Sequence, residues 1–380
     1  MLIGIDARYA LRGLRGIGKY TLNLIKNLSR LDLKNKYILY LDRNDDTILP
    51  SQPNIEKKIL RSQNYFIYEQ FILPRQAVRD GIDILHCTGN TAPVFLSEKI
   101  KLVLTLHDVM FLLPKEIMPL SKSLYQRLGR IYRSILVNKI VDRAQEVITD
   151  SEYSRKEIER RTYIKKEKIC KISLGVDSFF RPVAEKELLD SVRIKYNVGS
   201  KFILCLGGIE PRKNTTRFIY VLNSLRKEED VELLIVGLSE KEKKYFMQLI
   251  HNLGIYKRVK LTGFVPESDL LLLYNAATLF LNATLFEGFG LPILEAFACG
   301  VPVITANRGA AAEIAGDSAL LVDPADINSI REAITRLLSD EGLRYNLKKN
   351  GLEEVKHFSW EHAAKETLKI YGDIMNTRKR

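Results

Sequence analysis

Residues 202–223 read FILCLGGIEPRKNTTRFIYVLN. An apolar run, Phe202–Leu206, ends in Gly207-Gly208. Beyond Arg212-Lys213-Asn214 a helix begins. Strand, glycine turn and helix in direct succession form the repeating unit of a parallel sheet covered by helices. Working outward, similar short runs recur between amphipathic stretches at Leu2–Ile5, Tyr37–Leu41, Ile84–Cys87, Leu102–Leu106 and Glu146–Thr149. They resume after a break at Glu232–Val236, Val259–Thr262, Leu279–Asn282, Val303–Thr305 and Ala319–Val322. Near-continuous apolar runs are the mark of strands buried on both faces. The pattern therefore predicts an α/β protein with two Rossmann-like, doubly wound sheets. The boundary is expected within 180–200, where Arg181-Pro182 leads through a short charged helix to Tyr196-Asn197-Val198-Gly199. That gives domains of residues 1–180 and 181–355. Open α/β sheets bind ligands at the carboxyl ends of their strands, so the expected substrate site is a cleft between two such lobes.

The length and composition agree. At about 150 residues per domain, 380 residues make two or three domains, and 46% hydrophobic residues can fill real cores. Disordered and disulfide-scaffold classes are excluded. Cys87, Cys170, Cys205 and Cys299 are too scattered for a zinc or redox pair and read as reduced thiols of a cytosolic protein. No secretory leader is visible at the start. The most apolar stretch, Leu270–Phe286, is broken by Asn275, Thr278, Asn282 and Thr284, so no transmembrane helix is expected.

The net charge of +13 is uneven: residues 1–180 hold 31 basic and 20 acidic side chains (+11), and residues 181–380 hold 28 and 26 (+2). An anionic partner for the first half follows, whether membrane surface, nucleic acid or phosphorylated substrate. Residues 122–143 read as a basic amphipathic helix with Leu124, Leu128, Ile131 and Ile135 on one stripe and Arg127, Arg130 and Arg133 opposite. It is either an ordinary surface helix with a solvated charged face or a contact for anionic lipid.

Four motifs carry chemistry. In Leu206–Asn214, two adjacent cations beside a glycine turn and a helix start make an anion site. A planar Arg212 fork and a Lys213 point charge suit a diphosphate; a solvated Arg–Lys pair is the plain alternative. In Glu287-Gly-Phe289-Gly290-Leu291-Pro292-Ile-Leu-Glu295, the carboxylates are eight residues apart across a turn and serve separate places. Glu287 lies in a loop. Glu295, one turn into a helix, suits a ribose diol. Gly13-Leu-Arg-Gly16-Ile-Gly18-Lys19-Tyr20-Thr21 nearly fits two phosphate loops, but Tyr20 stands where a P-loop needs Ser or Thr, and Thr21 only approximates the third small residue of a dinucleotide fingerprint. His107, after the Leu102–Leu106 strand, can donate to a sugar hydroxyl or move a proton, or be structural.

The ordered set of these motifs resembles the retaining glycosyltransferases of family GT4, of the GT-B fold. Ala298-Cys-Gly-Val-Pro-Val-Ile304, Asp6-Ala-Arg8, His107-Asp108, Asp150-Ser151-Glu-Tyr-Ser154, Gly175-Val-Asp177, Gly263-Phe-Val-Pro and Phe358-Ser-Trp360 complete it. The resemblance implies a nucleotide-sugar donor whose diphosphate is held by Arg212 and Lys213 beside Gly208 and whose ribose is held by Glu295. Glu287 and the backbone of Phe289, Gly290 and Leu291 would take the α-phosphate and the transferred sugar. Gly16 and Gly18 would close over phosphate and acceptor, and His107 would support the developing positive charge or the sugar hydroxyls. No metal is obligatory in the family, and no Asp-x-Asp motif is present. Residues 356–380 resemble the family's last helix, which returns to the first lobe, with Trp360 as anchor. The opening motifs look most like the mannosyl-transferring branch of surface polysaccharide assembly. That implies GDP-mannose, a glycan or lipid-linked acceptor, and a cytoplasmic protein lying at the inner face of an anionic membrane, with no nucleic-acid partner. A UDP-hexose donor, a non-enzymatic basic membrane- or nucleic-acid-binding protein and a Rossmann oxidoreductase are the alternatives.

Overall fold

The computed structural model describes residues 1–12, 16–45, 48–62, 64–115, 118, 124–226 and 230–376, without the Tyr125 side chain. Gly13, Leu14 and Arg15 of the glycine loop and the start of the basic helix, Lys122 and Ser123, lie outside the described residues. The chain divides into two compact units, residues 1–175 with 359–380 and residues 176–358. The first crossing thus falls ahead of the 180–200 segment.

In the first unit seven parallel strands are ordered β3-β2-β1-β4-β5-β6-β7. They are β1 (Leu2–Asp6), β2 (Lys36–Leu41), β3 (Ile55–Ile59), β4 (Ile84–Cys87), β5 (Lys101–Thr105), β6 (Glu146–Thr149) and β7 (Ile169–Lys171). The sheet is in register from Ile3 opposite Tyr37 and Ile84 to Val103 opposite Glu146. β3 and β7 were not among the apolar runs. Each is a sheet edge, and β3 (Ile-Glu-Lys-Lys-Ile) is partly exposed, with Glu56 in water and Lys57 and Lys58 paired with Asp45 and Asp80; charged residues on an edge keep it from pairing with another chain. Helix α1 (Ile17–Leu31) buries Leu22, Leu24, Ile25 and Leu28.

Helix α2 (Leu124–Arg143) corrects the sequence reading, because its apolar stripe turns outward while Arg130 and Arg133 of the basic face turn in. The apolar stripe faces water, with Leu124 66%, Leu128 57%, Ile131 53% and Ile135 63% exposed. Arg130 turns inward and donates to the carbonyls of Phe111, Leu113 and Met118, and the Arg133 guanidinium lies 5.7 Å from the centre of the Phe111 ring. Carbonyls of an irregular segment need donors, and an arginine fork supplies several from one side chain. Farther along, Val137, Ile140 and Val141 enter the core.

The last helix, Trp360–Asn376, packs on α1. Gly175 makes the approach possible: a Cβ there would lie 2.1 Å from the Trp360 backbone nitrogen. Trp360 is buried with its ring 6.2 Å from Tyr20, and the Tyr371 hydroxyl sits 2.6 Å from Nδ1 of His86 on β4.

The second unit holds six parallel strands ordered β10-β9-β8-β11-β12-β13. They are β8 (Phe202–Leu206), β9 (Glu232–Val236), β10 (Val259–Leu261), β11 (Leu279–Asn282), β12 (Val303–Ala306) and β13 (Leu320–Val322). Their helices include α3 (Thr215–Ser224), α4 (Glu267–Ala276) and α5 (Leu291–Cys299). The apolar stretch 270–286 is split between α4 and β11. Among the described residues no helix is long and apolar enough to cross a membrane.

Candidate active site

In the second unit, the anion motif occupies the turn between β8 and α3. Gly207 packs so closely that a Cβ would meet Ile235 at 2.4 Å. The turn is sealed by Thr215, whose hydroxyl both accepts from the Gly208 N–H (3.0 Å) and donates to its carbonyl (2.9 Å). Pro211–Lys213 form a short 3₁₀ turn, and Asn214 follows in the left-handed region at φ 63°. The Asn214 amide pins the turn by donating to the carbonyls of Ala283 (2.8 Å) and Pro324 (2.7 Å). This fixes Arg212 and Lys213 at the carboxyl end of the sheet. Arg212 contacts Glu210 at 2.7 Å through Nε.

The loop after β11 brings Glu287 to the same place, its Oε2 3.4 Å from Lys213 Nζ. Both side chains are only partly buried. Burial raises the carboxyl pKa of Glu287, but the charges of Lys213 and Arg212 outweigh it and hold the group below its usual range. The chain then enters α5 through Gly290 at φ 116°, a backbone conformation that favours glycine, with Pro292 in the first turn. Phe289 is buried and lies edge-on to Phe358, with the ring centres 6.1 Å apart. Glu295 is buried in α5 and accepts from the hydroxyl of Tyr274 on α4 at 3.2 Å. The structure thus gathers Gly208, Arg212, Lys213 and Glu287 around one turn, with Phe289, Gly290 and Leu291 opening the next helix. Glu295 lies deeper. An open pocket in this unit, lined by Gly208, Pro211, Arg217, Tyr220 and Tyr245 among others, does not include Glu287 or Glu295.

The first unit brings strand ends together in a different way. Gly16 caps α1 at φ 45°, and Gly18 is buried inside the first turn of α1. Tyr20 and Thr21 bolt that turn to the sheet, Tyr20 through the Thr105 hydroxyl (2.9 Å) and Thr21 through that of Thr88 (2.9 Å). Arg8 is buried, paired with Asp6 at 2.6 Å, and reaches Glu69 at 3.3 Å among the rings of Tyr9, Tyr65 and Tyr68. His107 follows β5, with Nδ1 2.6 Å from Asp150 Oδ2 and Nε2 3.1 Å from the Thr88 carbonyl. The Tyr20 ring lies edge-on to it, with the centres 4.8 Å apart.

Two families of known proteins match these halves. The "Glycosyl transferases group 1" family matches residues 190–354, and "Glycosyltransferase Family 4" matches residues 14–178. The chain belongs to glycosyltransferase family 4. It is a retaining hexosyltransferase of the GT-B fold. The chain is 29% identical to the O-antigen chain mannosyltransferase B of Escherichia coli over 379 residues, which span 94% of this chain and 96% of that one. It is 30% identical to the serotype-specific mannosyltransferase WbdA of the same organism over 285 residues, 73% of this chain and 34% of that one. In fold it is similar to the sucrose-phosphate synthase of Thermosynechococcus elongatus, with a TM-score of 0.78 at 20% identity over 99% of this chain and 100% of that one. It is also similar to Anabaena Alr3699/HepE in complex with UDP and glucose, with a TM-score of 0.77 at 19% identity over 98% and 99% of the two chains.

Three residues that touch the expected site residues carry no signal of that contact in the sequence. Tyr20, which departs from the P-loop pattern in sequence, packs against His107. Asp150 stands in the Asp150–Ser154 motif, and its contact with His107 joins residues 43 positions apart. Tyr274 carried no signal, being one aromatic in an apolar helix.

Proposed function

We propose that this glycosyltransferase moves a mannosyl residue from GDP-mannose, with retention, to a lipid-linked glycan acceptor in the assembly of a surface polysaccharide. The observation that carries the reading is the full-length similarity to an O-antigen mannosyltransferase. Arg212 and Lys213 bind the diphosphate and offset the charge that grows on it as the sugar departs, which leaves no obligatory place for a metal. The 3.4 Å contact lets Lys213 exchange Glu287 for phosphate oxygen, freeing Glu287 for the hexose hydroxyls. The backbone of Phe289, Gly290 and Leu291 takes the α-phosphate, beside Gly208, and Glu295 takes the ribose diol. Gly16 and Gly18 close over phosphate and acceptor, and His107 stands by the reacting sugar.

Retention follows a front-face course. The anomeric C–O bond to phosphate breaks with its electron pair going to the phosphate oxygen. That oxygen takes the proton of the acceptor hydroxyl, whose oxygen bonds the anomeric carbon on the same face. The electron pair and proton both leave with GDP.

The acceptor is met at an anionic bilayer at the cytoplasmic face. The outward stripe of α2 supports this: its exposed apolar residues lie beside exposed Arg127 and Lys139, and no acidic residue occurs before Asp142. Such a face suits apolar insertion between anionic headgroups. Flotation with anionic and with neutral vesicles tests it, neutral binding of equal strength being the contrary result.

For the donor, thermal melting with GDP, UDP, ADP, GDP-mannose, UDP-glucose and NAD at moderate salt, with and without EDTA, is decisive. A selective, EDTA-insensitive rise with GDP and GDP-mannose is expected; saturation at 100 times Kd adds about 2.7 kcal/mol. A UDP-selective rise would instead favour a UDP-hexose donor, the reading to which the likeness to a UDP complex points.

A further inference from the structure

We propose that Asp150 is a positioning residue that keeps His107 doubly protonated, so that the ring acts as a fixed cation toward the departing diphosphate, and neither as a proton shuttle nor as support for positive charge on the sugar. The proposal rests on the glycosyltransferase reading for His107's place beside the substrate. Both neighbours of the ring are acceptors. Nδ1 faces the Asp150 carboxylate at 2.6 Å and Nε2 faces the Thr88 carbonyl at 3.1 Å. A carbonyl oxygen only accepts, so Nε2 carries a proton. An ionised carboxylate only accepts, so Nδ1 carries one as well. The ring is left with no lone pair to take a proton from an acceptor hydroxyl.

The surroundings favour that state. Asp150 is 2% exposed, and its Oδ1 is buried with no partner among the described residues, so the imidazolium answers its charge. A buried carboxylate without such a partner is costly. Groups from every neighbouring element bear on the ring. Asp150 after β6, the Thr88 carbonyl after β4 and Asp108 beside it all favour the cation, and together they raise its pKa although burial opposes them. Tyr20 on α1 presents a ring edge and spends its hydroxyl on Thr105. His86 on β4 is pushed down to about 3 by burial and by His107, and so stays neutral and does not repel it. The His107 backbone is held as well, its N–H donating to Asn90 Oδ1 at 2.7 Å.

The test uses the full chain with ¹⁵N-labelled histidine, the His107 signals being assigned by their loss in His107→Gln. At pH 7.5 the wild type is expected to show both His107 ring nitrogens protonated. Asp150→Asn keeps the shape and removes the charge. Its His107 is expected to become a single neutral tautomer, and kcat/KM to fall roughly 10- to 100-fold, the worth of a charged hydrogen bond. Its residual activity should decline as pH rises through the neutral range where the wild type is flat, and Asp150→Glu should restore part of the loss. A neutral His107 in the wild type, or an Asp150→Asn pH profile superimposable on that of the wild type, would overturn the proposal. Should the wild type transfer no sugar from any donor, the glycosyltransferase reading fails, while the spectrum still decides the protonation state of the pair.

Discussion

His107–Asp150 and Lys213–Glu287 are ion pairs at the carboxyl ends of strands, one in each sheet, and they are built in opposite ways. The first is 2.6 Å long, with side chains 9% and 3% exposed and a second acceptor on the far nitrogen. The second is 3.4 Å long, with side chains 21% and 17% exposed. A short, buried pair holds a geometry, and removing one member strands a charge. A long, half-open pair has little to lose by exchanging partners. The difference separates a pair fixed in its geometry from one that can exchange a partner.

Substitution should expose that difference most strongly in turnover. Lys213→Ala or Glu287→Ala is expected to lower transfer at least about 100-fold, as loss of a group that meets charge in the transition state does. The urea midpoint should stay within about 1 kcal/mol of the parent. Near-normal turnover in either variant would remove the open pair from the site.

Stability should show the reverse order. His107→Ala leaves Asp150 buried without its counter-charge and is expected to cost about 3 kcal/mol in urea unfolding. A cost as small as that of Lys213→Ala would erase the contrast.

The two pairs should also respond to pH in opposite directions. The His107 pKa is raised in the folded chain, so its contribution is full below the unfolded value of about 6.5 and is lost as pH rises through the folded value. The Glu287 pKa is lowered, so its contribution is full above about 4.3 and is lost as pH falls through the folded value. Urea midpoints across pH should therefore show wild type and His107→Ala converging on the alkaline side, and wild type and Glu287→Ala converging on the acid side.

The smallest effect is expected on α2. Ile131→Ser should change stability by no more than about 0.5 kcal/mol, because the side chain is 53% exposed, while weakening retention on anionic vesicles. A large loss of stability would mean that the stripe is core.

Much of the fold was legible because parallel strands buried on both faces leave unbroken apolar runs, as Phe202–Leu206 and Leu279–Asn282 do. Edge strands do not, which is why Ile55–Ile59 gave no signal. The glycine turn was legible for a local reason: Gly207 through Asn214 are contiguous, although the carbonyls of Ala283 and Pro324, distant in the chain, pin its end at Asn214. Helix α2 shows the limit of such reasoning. Periodicity separated its two faces, but which face turned inward was decided by the carbonyls of Phe111, Leu113 and Met118, all three of which accept from Arg130.

By itself, then, the sequence determined the two α/β sheets, the glycine turn that carries Arg212 and Lys213, and the family, all of which rest on residues adjacent in the chain or in fixed order along it. Tertiary structure alone decided the orientation of α2, the reach of the Tyr274 hydroxyl to Glu295 and the pairing of His107 with Asp150. Each of these joins groups far apart in the chain. Hydrogen bonds and charges act over a few ångströms of space, and no pattern of spacing along the sequence records which distant residues the packed core brings to that range.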